Sequence, residues 1–262
     1  MWTILKSNGW ATWTGIFHAV LFLVFLILAN IDHRTVDGLD NWFKPMKFAI
    51  SISIFALTLP FLTNPLQKLN YIPGWRSPVL LSRIVCLMLW GEIMLISFQA
   101  ARGERSHFNI ESPLGGAIYG LMGLMILTSS IATLLLILPY FTRKQQELNL
   151  SRNVIQGIRF GSVLFMLGSV AGGLMSSILS HSVGQPGANQ IPFLGWSTTA
   201  GDIRAVHFLG LHAIQILPLI GWLGESNNWS RSLISATNWL YTTVFGMTTG
   251  LTALGLSVVF WI

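Results

Sequence analysis

The chain of 262 residues is 52% hydrophobic and only 9% charged, with a mean hydropathy of +0.63. A soluble domain averages about 25% charged residues, so this composition predicts an integral membrane protein. The net charge of +6 does not indicate nucleic-acid binding, because the basic residues stand at the ends of apolar runs, and the single cysteine, Cys86, excludes a disulfide framework, a CxxC metal motif and a CxxCH haem attachment.

Seven apolar stretches follow one another along the chain, each near the ~20 residues that a helix needs to cross the hydrocarbon. They cover about 10–30, 46–63, 78–101, 114–141, 153–180, 202–222 and 233–261. Only Lys6 precedes the first stretch and no small-residue cleavage site follows it, so we expect no removed signal peptide. The pattern predicts an all-α, multi-pass protein of the cell inner membrane, in which residues 1–262 form a single seven-helix domain.

Lysine and arginine are distributed unequally between the two sides of this bundle. One side holds Lys6, Lys68, Arg76, Arg83, Arg143, Lys144, Arg152, Arg159 and Arg231, and the other holds Arg34, Lys44, Lys47, Arg102, Arg105 and Arg204. The side richer in cations usually faces the cytoplasm. We therefore predict a cytoplasmic N-terminus and, after seven crossings, an external C-terminus.

Polar residues inside or beside the first two spans are open to two interpretations. His18, in GIFHAVLF, is either a packing residue or a ligand. Lys44 and Lys47 are three residues apart at the start of the second helix and share one face. They form either a rim of headgroup-binding lysines or an anion site.

The third helix carries a polar face toward its outer end. Glu92, Gln99, Arg102 and Ser106 recur at intervals of seven, three and four residues, and His107 follows. An ionisable group at the bilayer centre costs ~2.5–3.5 kcal/mol, so it usually faces the protein interior and has a partner. Glu92, flanked by LMLWG and IMLIS, is therefore a functional candidate or the structural partner of a lysine or of a backbone amide.

The longest connection, residues 181–201, is rich in Gly, Pro and Asn, and its aromatic residues favour a loop that folds back over the bundle. The sixth helix then begins with Asp202, Arg204, His207 and His212. Two histidines five residues apart are about 140° apart around a regular helix, so they do not both bind one ion. GxxxG pairs at Gly116, Gly157, Gly168 and Gly246, each with its partner four residues on, predict either close helix packing or room for a flat cofactor.

The motifs NWFKPMKFAIS, QAARGERSHFN and GWSTTAGDIRAVHFLGLHAIQILP together resemble an uncharacterised family of bacterial multi-spanning membrane proteins. The resemblance covers most of the chain from about residue 31 to residue 223 and implies a seven-helix membrane protein. It transfers no activity and no catalytic residue. The chain lacks the paired histidines of a b-type cytochrome oxidase or cytochrome bc subunit and the lysine in the last helix that a retinal Schiff base needs.

All six histidines avoid the inner rim, so we expect the chemistry in the outer half of the bundle. We predict one polar pocket that contains Glu92, His107, His207 and His212, and that binds haem b or a transition metal ion for redox chemistry. The metal ligands would come from His107, His207, His212 and His181; the catalytic groups would be Glu92, His107 and Asp202; and the cofactor would be held by His18, Lys44, Lys47, Arg102 and Arg204. Membrane lipids and a quinone or another redox partner are the expected partners.

Two other classes of function stay open at this stage. A metal-dependent hydrolase of lipid-like substrates needs about three histidines and an acid around zinc, which His107, His181, His207 and Asp202 would supply. A transporter or channel needs a polar path across both halves of the membrane, and the inner half offers only Arg83 and Arg159 near its entry. The sequence leaves the oligomeric state open.

Overall fold

The computed structural model describes residues 2–69, 77–187 and 189–259, which are mostly helical. Its helices are α1 (Trp2–Ser7), α2 (Gly9–Ala29), α3 (Phe43–Gln67), α4 (Pro78–Arg102), α5 (Pro113–Ile137), α6 (Pro139–Thr142), α7 (Gln145–Leu148), α8 (Arg152–Ile178), α9 (Ile203–Ser226) and α10 (Arg231–Ala253). Two short antiparallel hairpins lie in the loops. Strand β1 (Thr35–Val36) pairs with β2 (Leu39–Asp40), and β3 (Ser182–Val183) pairs with β4 (Gly201–Asp202).

Local sequence signals explain where the long helices begin. Pro78 and Pro113 occupy the first helical position, where a missing N–H does no harm. The side chains of Ser112, Ser151 and Ser230 accept hydrogen bonds from backbone N–H groups in the first turns of α5, α8 and α10. These caps satisfy donors that the helices leave free at their ends.

Six of the helices are long and apolar enough to cross a membrane. They are α2, α3, α4, the α5–α6 segment, α8 and α9. By its composition and by the length of its helices, the chain is therefore a helical, multi-pass membrane protein. The seventh apolar stretch, 233–261, forms α10, which ends at Ala253, and residues 260 and 261 of that stretch lie outside the described residues.

The number of seven crossings and the orientation stay predictions. Arg76, one of the cations on the predicted cytoplasmic side, lies outside the described residues. The chain also groups into two compact units, Met1–Thr142 (unit 1) and Arg143–Ile262 (unit 2). The prediction of one domain over residues 1–262 remains untested.

Unit 1 is held together by hydrogen bonds between its helices as well as by apolar packing. The hydroxyl of Ser53 on α3 donates to the carbonyl oxygen of Gly15 on α2 at 2.8 Å, and Gly15 has no space for a side chain because Leu57 and the Ser53 carbonyl fill it. The buried Tyr140 hydroxyl donates to the carbonyl oxygen of Leu62 at 2.6 Å. Polar contacts of this kind join helices where lipid supplies no hydrophobic driving force.

Unit 2 is built on a close helix pair. The backbones of α8 and α9 approach each other at Gly161, where a Cβ atom would lie 2.6 Å from the Ala213 carbonyl oxygen, and at Gly168, where it would lie 2.7 Å from the Cα atom of Gly210. The side chains of Leu164, Leu217 and their neighbours fill the spaces between these crossings. Two of the four GxxxG pairs therefore pack helix on helix, whereas Gly116, Gly120, Gly246 and Gly250 face open space.

Candidate functional site

The start of α9 is organised by one buried carboxylate. Asp202 is 0% exposed and caps the helix by accepting the N–H of Arg204 at 3.0 Å. Arg204 also donates to both carboxylate oxygens through Nε (2.9 Å) and Nη2 (2.6 Å), and the backbone N–H of Ser197 donates at 2.9 Å. Both oxygens of Asp202 are thus already bonded, which makes this residue the organiser of the loop and the helix start.

The long loop forms an ordered structure over this end of unit 2. Strands β3 and β4 close it at its base, and Gln190 pairs with Ser197 near its tip. Residues beyond α10 fasten it: the Ser257 hydroxyl donates to the Ser197 carbonyl oxygen at 3.0 Å, and the Gly201 backbone lies against Thr252. At the base of the loop, His181 lies with Nδ1 3.9 Å from Asp202.

Three side chains form a stripe along one face of α9. Arg204, Phe208 and His212 are spaced at i, i+4 and i+8, so they lie one above another over about 12 Å of helix. The rings of Phe208 and His212 are 4.4 Å apart, and Trp196 from the loop contacts Phe208 edge-on at 5.7 Å. We call Arg204, Phe208 and His212, with Trp196 beside them, the α9 stripe.

The tautomer of His212 follows from its partner. Its Nδ1 donates a hydrogen bond to the side-chain oxygen of Gln215, one turn further along the helix. An amide oxygen only accepts, so the proton of the neutral imidazole lies on Nδ1 and the lone pair lies on Nε2. Metal-binding histidines are commonly held in this way, with one ring nitrogen bonded to an oxygen and the other presented to the metal.

His207 is held in the same tautomer but in a tighter place. Its Nδ1 donates to the Gly168 carbonyl oxygen at 2.7 Å, and its ring occupies the space that a side chain at Gly172 would need. The ring therefore fills the α8–α9 crossing as a packing element, with Nε2 carrying the lone pair. The two histidines of α9 point in different directions, as their spacing predicts.

In unit 1, His18 is completely buried within α2. Its Nδ1 donates to the Thr14 carbonyl oxygen at 2.7 Å, and its Nε2 has no hydrogen-bond partner among the described residues. The indole of Trp90 meets the imidazole edge-on at 5.2 Å and donates to the Thr14 hydroxyl at 3.1 Å. His18 is thus a third histidine whose Nε2 carries the lone pair.

His107 belongs to an aromatic group at the end of unit 1 that carries the α4–α5 loop. Its half-buried ring lies 5.9 Å from that of Phe48 and 6.0 Å from that of Tyr119, and its Nδ1 is 3.1 Å from the Ser106 hydroxyl. Lys44 and Lys47 occupy the first turns of α3 and are half-buried. Arg102 ends α4, where it donates to the Gln99 side-chain oxygen at 2.9 Å.

An ion pair and an indole organise the α2–α3 loop of unit 1. Arg34 donates to Asp32 through Nε at 2.8 Å and Nη2 at 2.6 Å, and the Trp42 indole donates to the same carboxylate at 2.8 Å. These hydrogen bonds, that from Arg34 foremost, hold the pKa of Asp32 well below its usual range. No role for this group was predicted, although the sequence shows Asp32 and Arg34 two residues apart.

The structure thus distributes the predicted site residues over both units. Glu92 and His107 belong to unit 1, whereas His207 and His212 belong to unit 2, so the single pocket that would contain all four stays a prediction. In residues 2–69, 77–187 and 189–259, no group of three or more His, Cys, Asp or Glu side chains is arranged to hold a bare metal ion.

Unit 2 contains a polar cleft that was not predicted from the sequence. It has a volume of about 940 Å³ and lies where the α7–α8 connection meets the α9–α10 turn. Its lining includes Arg152, Glu225 and Arg231, and the Asn153 amide donates to Glu225 at 3.1 Å. Sequence spacing gave no signal for it, because its two walls are separated by the whole of α8 and α9.

Comparisons with protein-family models, curated proteins and solved structures gave no match. The resemblance to a bacterial multi-spanning family therefore remains a prediction. The elements themselves define the class: a helical protein with six helices suited to crossing a membrane.

Proposed function

We propose that the protein is a membrane-embedded haem protein with a redox function, and that His212 is the iron ligand. The observation that supports this is the α9 stripe, which provides along one helix face a histidine with Nε2 as its lone-pair nitrogen, an aromatic ring and a cation. These three groups suit haem, because its iron can take an axial imidazole, its ring is flat and apolar, and its propionates are anionic.

The residues of the stripe fit this cofactor. Phe208 is 42% exposed, so its ring surface is available to a flat partner. Arg204 is fixed by Asp202, and its Nη1 makes no hydrogen bond to any described residue, which leaves a donor for a carboxylate. Bound haem would supply one-electron chemistry, while His212 and Arg204 would set its position and its environment.

Haem also requires fewer protein ligands than a bare ion. Its iron already has the ring nitrogens and takes one or two protein groups, whereas structural and catalytic zinc sites use three or four. A transition metal ion stays a second form of the proposal; His207, whose Nε2 carries the lone pair, would be one ligand, and such an ion would need further ligands beside it. The zinc hydrolase would need His107, His181, His207 and Asp202 in one shell, and both oxygens of Asp202 are occupied by Arg204 and Ser197.

We further propose that the protein lies in the inner membrane of a bacterium with α10 as its seventh span, and that a quinone or another redox carrier exchanges electrons with it. The support for the seventh span is the outer surface of α10. Its 23 residues are long enough to cross the hydrocarbon. Five large apolar residues of this helix are exposed, Leu233, Trp239, Leu240, Val244 and Met247, beside small and polar ones such as Thr243 and Thr249.

The haem proposal is tested by expressing the protein with ample haem and recording the absorption spectrum and haem content of the purified membrane protein. We expect a Soret band and stoichiometric haem in the wild type. His212→Ala should lose the band or shift it, and Phe208→Ala should retain less haem. The matched control is His33→Ala, because His33 lies exposed in the α2–α3 loop and should leave the spectrum unchanged.

Three outcomes separate the possibilities. Wild-type protein without haem, but with a stoichiometric metal, would move the proposal to the metal form. Wild-type protein with neither would overturn it. Haem that is retained unchanged in His212→Ala, but lost in His18→Ala or His207→Ala, would show that the α9 stripe is not the site.

A further inference from the structure

Glu92 is the most completely isolated ionisable group in the described part of unit 1. Its side chain is 0% exposed, and neither carboxylate oxygen accepts a hydrogen bond from any described residue. Buried charges in proteins are normally paired and hydrogen bonded, because an unpaired one is too costly to keep. The carboxyl group must therefore be stabilised in another way.

Apolar side chains lie next to Glu92 along α4. One turn further along the same face of α4, Ile96 packs with Ile118 and Met122 of α5. On the adjoining side of the helix, a side chain at Gly91 would meet the sulfur of Met125. An apolar layer therefore separates Glu92 from the aromatic group around His107.

The charged and titratable groups of the neighbouring helices are few. Helix α5 contains only Tyr119 between Pro113 and Ile137. The others are His18 on α2, Lys44 and Lys47 on α3, and Arg83, Cys86 and Arg102 on α4 itself. Of these, Lys44 is the cation whose charge acts on Glu92, and it does so without donating a hydrogen bond to either carboxylate oxygen.

We propose that Glu92 is a proton-binding site enclosed in unit 1, which holds its proton at rest and exchanges it with water when the apolar layer above it opens. The exchange converts the carboxylic acid into a carboxylate and a released proton, and the charge of Lys44 then favours the carboxylate. This proposal does not depend on the haem proposal, which concerns unit 2.

The ligand of this site is a proton rather than a metal cation for a geometric reason. Sodium-like and calcium-like ions need several oxygen ligands, about six to eight for calcium, and among the described residues no group of three or more His, Cys, Asp or Glu side chains is arranged to hold a metal ion. A proton needs neither a cavity nor further ligands. A buried neutral acid also avoids the cost of an unpaired charge in the membrane.

The test uses dicyclohexylcarbodiimide on the full-length protein in lipid vesicles, with peptide mass spectrometry to locate the adduct. Addition across the C=N bond requires the carboxyl proton, and the apolar reagent reaches carboxyl groups inside the membrane. We expect a stable adduct at Glu92 that is absent in Glu92→Gln and decreases as the pH is raised. A water-soluble carbodiimide should modify the exposed Glu111 but not Glu92.

A second measurement separates the proton site from a structural ion pair with Lys44. Glutamine resembles the neutral acid in shape and charge, so Glu92→Gln should shift the apparent unfolding temperature by less than about 2 °C, like the control Glu111→Gln. An ionised Glu92 would instead resist the apolar reagent at every pH, and Glu92→Gln would leave Lys44 without its counter-charge and lower the unfolding temperature clearly. Either of these results overturns the proposal.

Discussion

Replacement of Gly161 by alanine tests whether the α8–α9 crossing determines the stability of unit 2. The added Cβ atom would lie 2.6 Å from the Ala213 carbonyl oxygen, whereas ordinary contact begins at 3.4 Å. Helix α9 must therefore retreat by about 0.8 Å, and the atom in the way is backbone, which cannot rotate aside. Overpacking of this kind typically costs about 1–3 kcal/mol.

Gly173→Ala is the matched control because it lies on the same helix and has no atom within 4 Å of the added Cβ. Both substitutions gain the same helix propensity, up to about 1 kcal/mol. The difference between them is therefore the cost of the crossing alone. We expect Gly161→Ala to be less stable than Gly173→Ala by about 1–3 kcal/mol.

The assay is unfolding of the purified protein in mild detergent, followed by tryptophan fluorescence against denaturant concentration or temperature. Equal midpoints for Gly161→Ala and Gly173→Ala would refute the reasoning, because they would show that α9 moves away without cost. A lower midpoint for Gly173→Ala than for Gly161→Ala would show that α8 makes its close contact through the face that carries Gly173, and not through the face that carries Gly161.

Three further predictions concern the loops and the topology. Asp202→Asn should lower the free energy of unfolding by about 3 kcal/mol, because it leaves Arg204 without its carboxylate partner. Denaturant unfolding of the variant and the wild type measures this difference, and an unchanged midpoint would contradict the role of Asp202 in organising the loop and the start of α9. The pKa of Asp32 is lowered in the folded protein, so its stabilising effect should be complete above the ordinary carboxyl pKa of about 4 and disappear as the pH falls below that value. The difference in thermal midpoint between wild type and Asp32→Asn should therefore vanish in acid. A difference that grows in acid would show that the pKa of Asp32 is raised rather than lowered on folding. If the N-terminus is cytoplasmic and the C-terminus external, an alkaline phosphatase fused to the C-terminus should be active. A cysteine placed at the N-terminus should then be shielded from an external thiol reagent. The reverse pattern would disprove the predicted orientation.

The membrane spans were largely predictable from the sequence, because an apolar stretch of about 20 residues matches the thickness of the hydrocarbon and is typical of a transmembrane helix. Six of the seven stretches form helices suited to crossing. The last stretch is harder to delimit by hydropathy because Asn and Thr residues interrupt it; of these, Asn238, Thr248 and Thr252 are buried, whereas Thr243 and Thr249 are exposed.

Details of the candidate site were beyond the sequence for a different reason. Four GxxxG pairs have the same spacing, but only those at Gly157 and Gly168 face another backbone, and spacing does not say which face meets a neighbour. The tautomers of His207 and His212 depend on the partners of Nδ1, one of which lies 39 residues away. The spacing did predict that these two histidines diverge, because that depends on helix geometry alone.

The contact between Ser257 and the long loop has a consequence for the order of synthesis. The hydroxyl that fastens the Ser197 carbonyl oxygen lies 60 residues further along the chain, and at about 5–20 residues per second its synthesis follows by roughly 3–12 s. During that interval α8 and α9 are complete while the loop above them lacks its last hydrogen bond. The hydrogen bond between Ser257 and Ser197 is then among the last contacts of unit 2 to form. A chain that ends before Ser257 would have α8, α9, α10 and the β3–β4 pairing but would leave this part of the loop without its fastening.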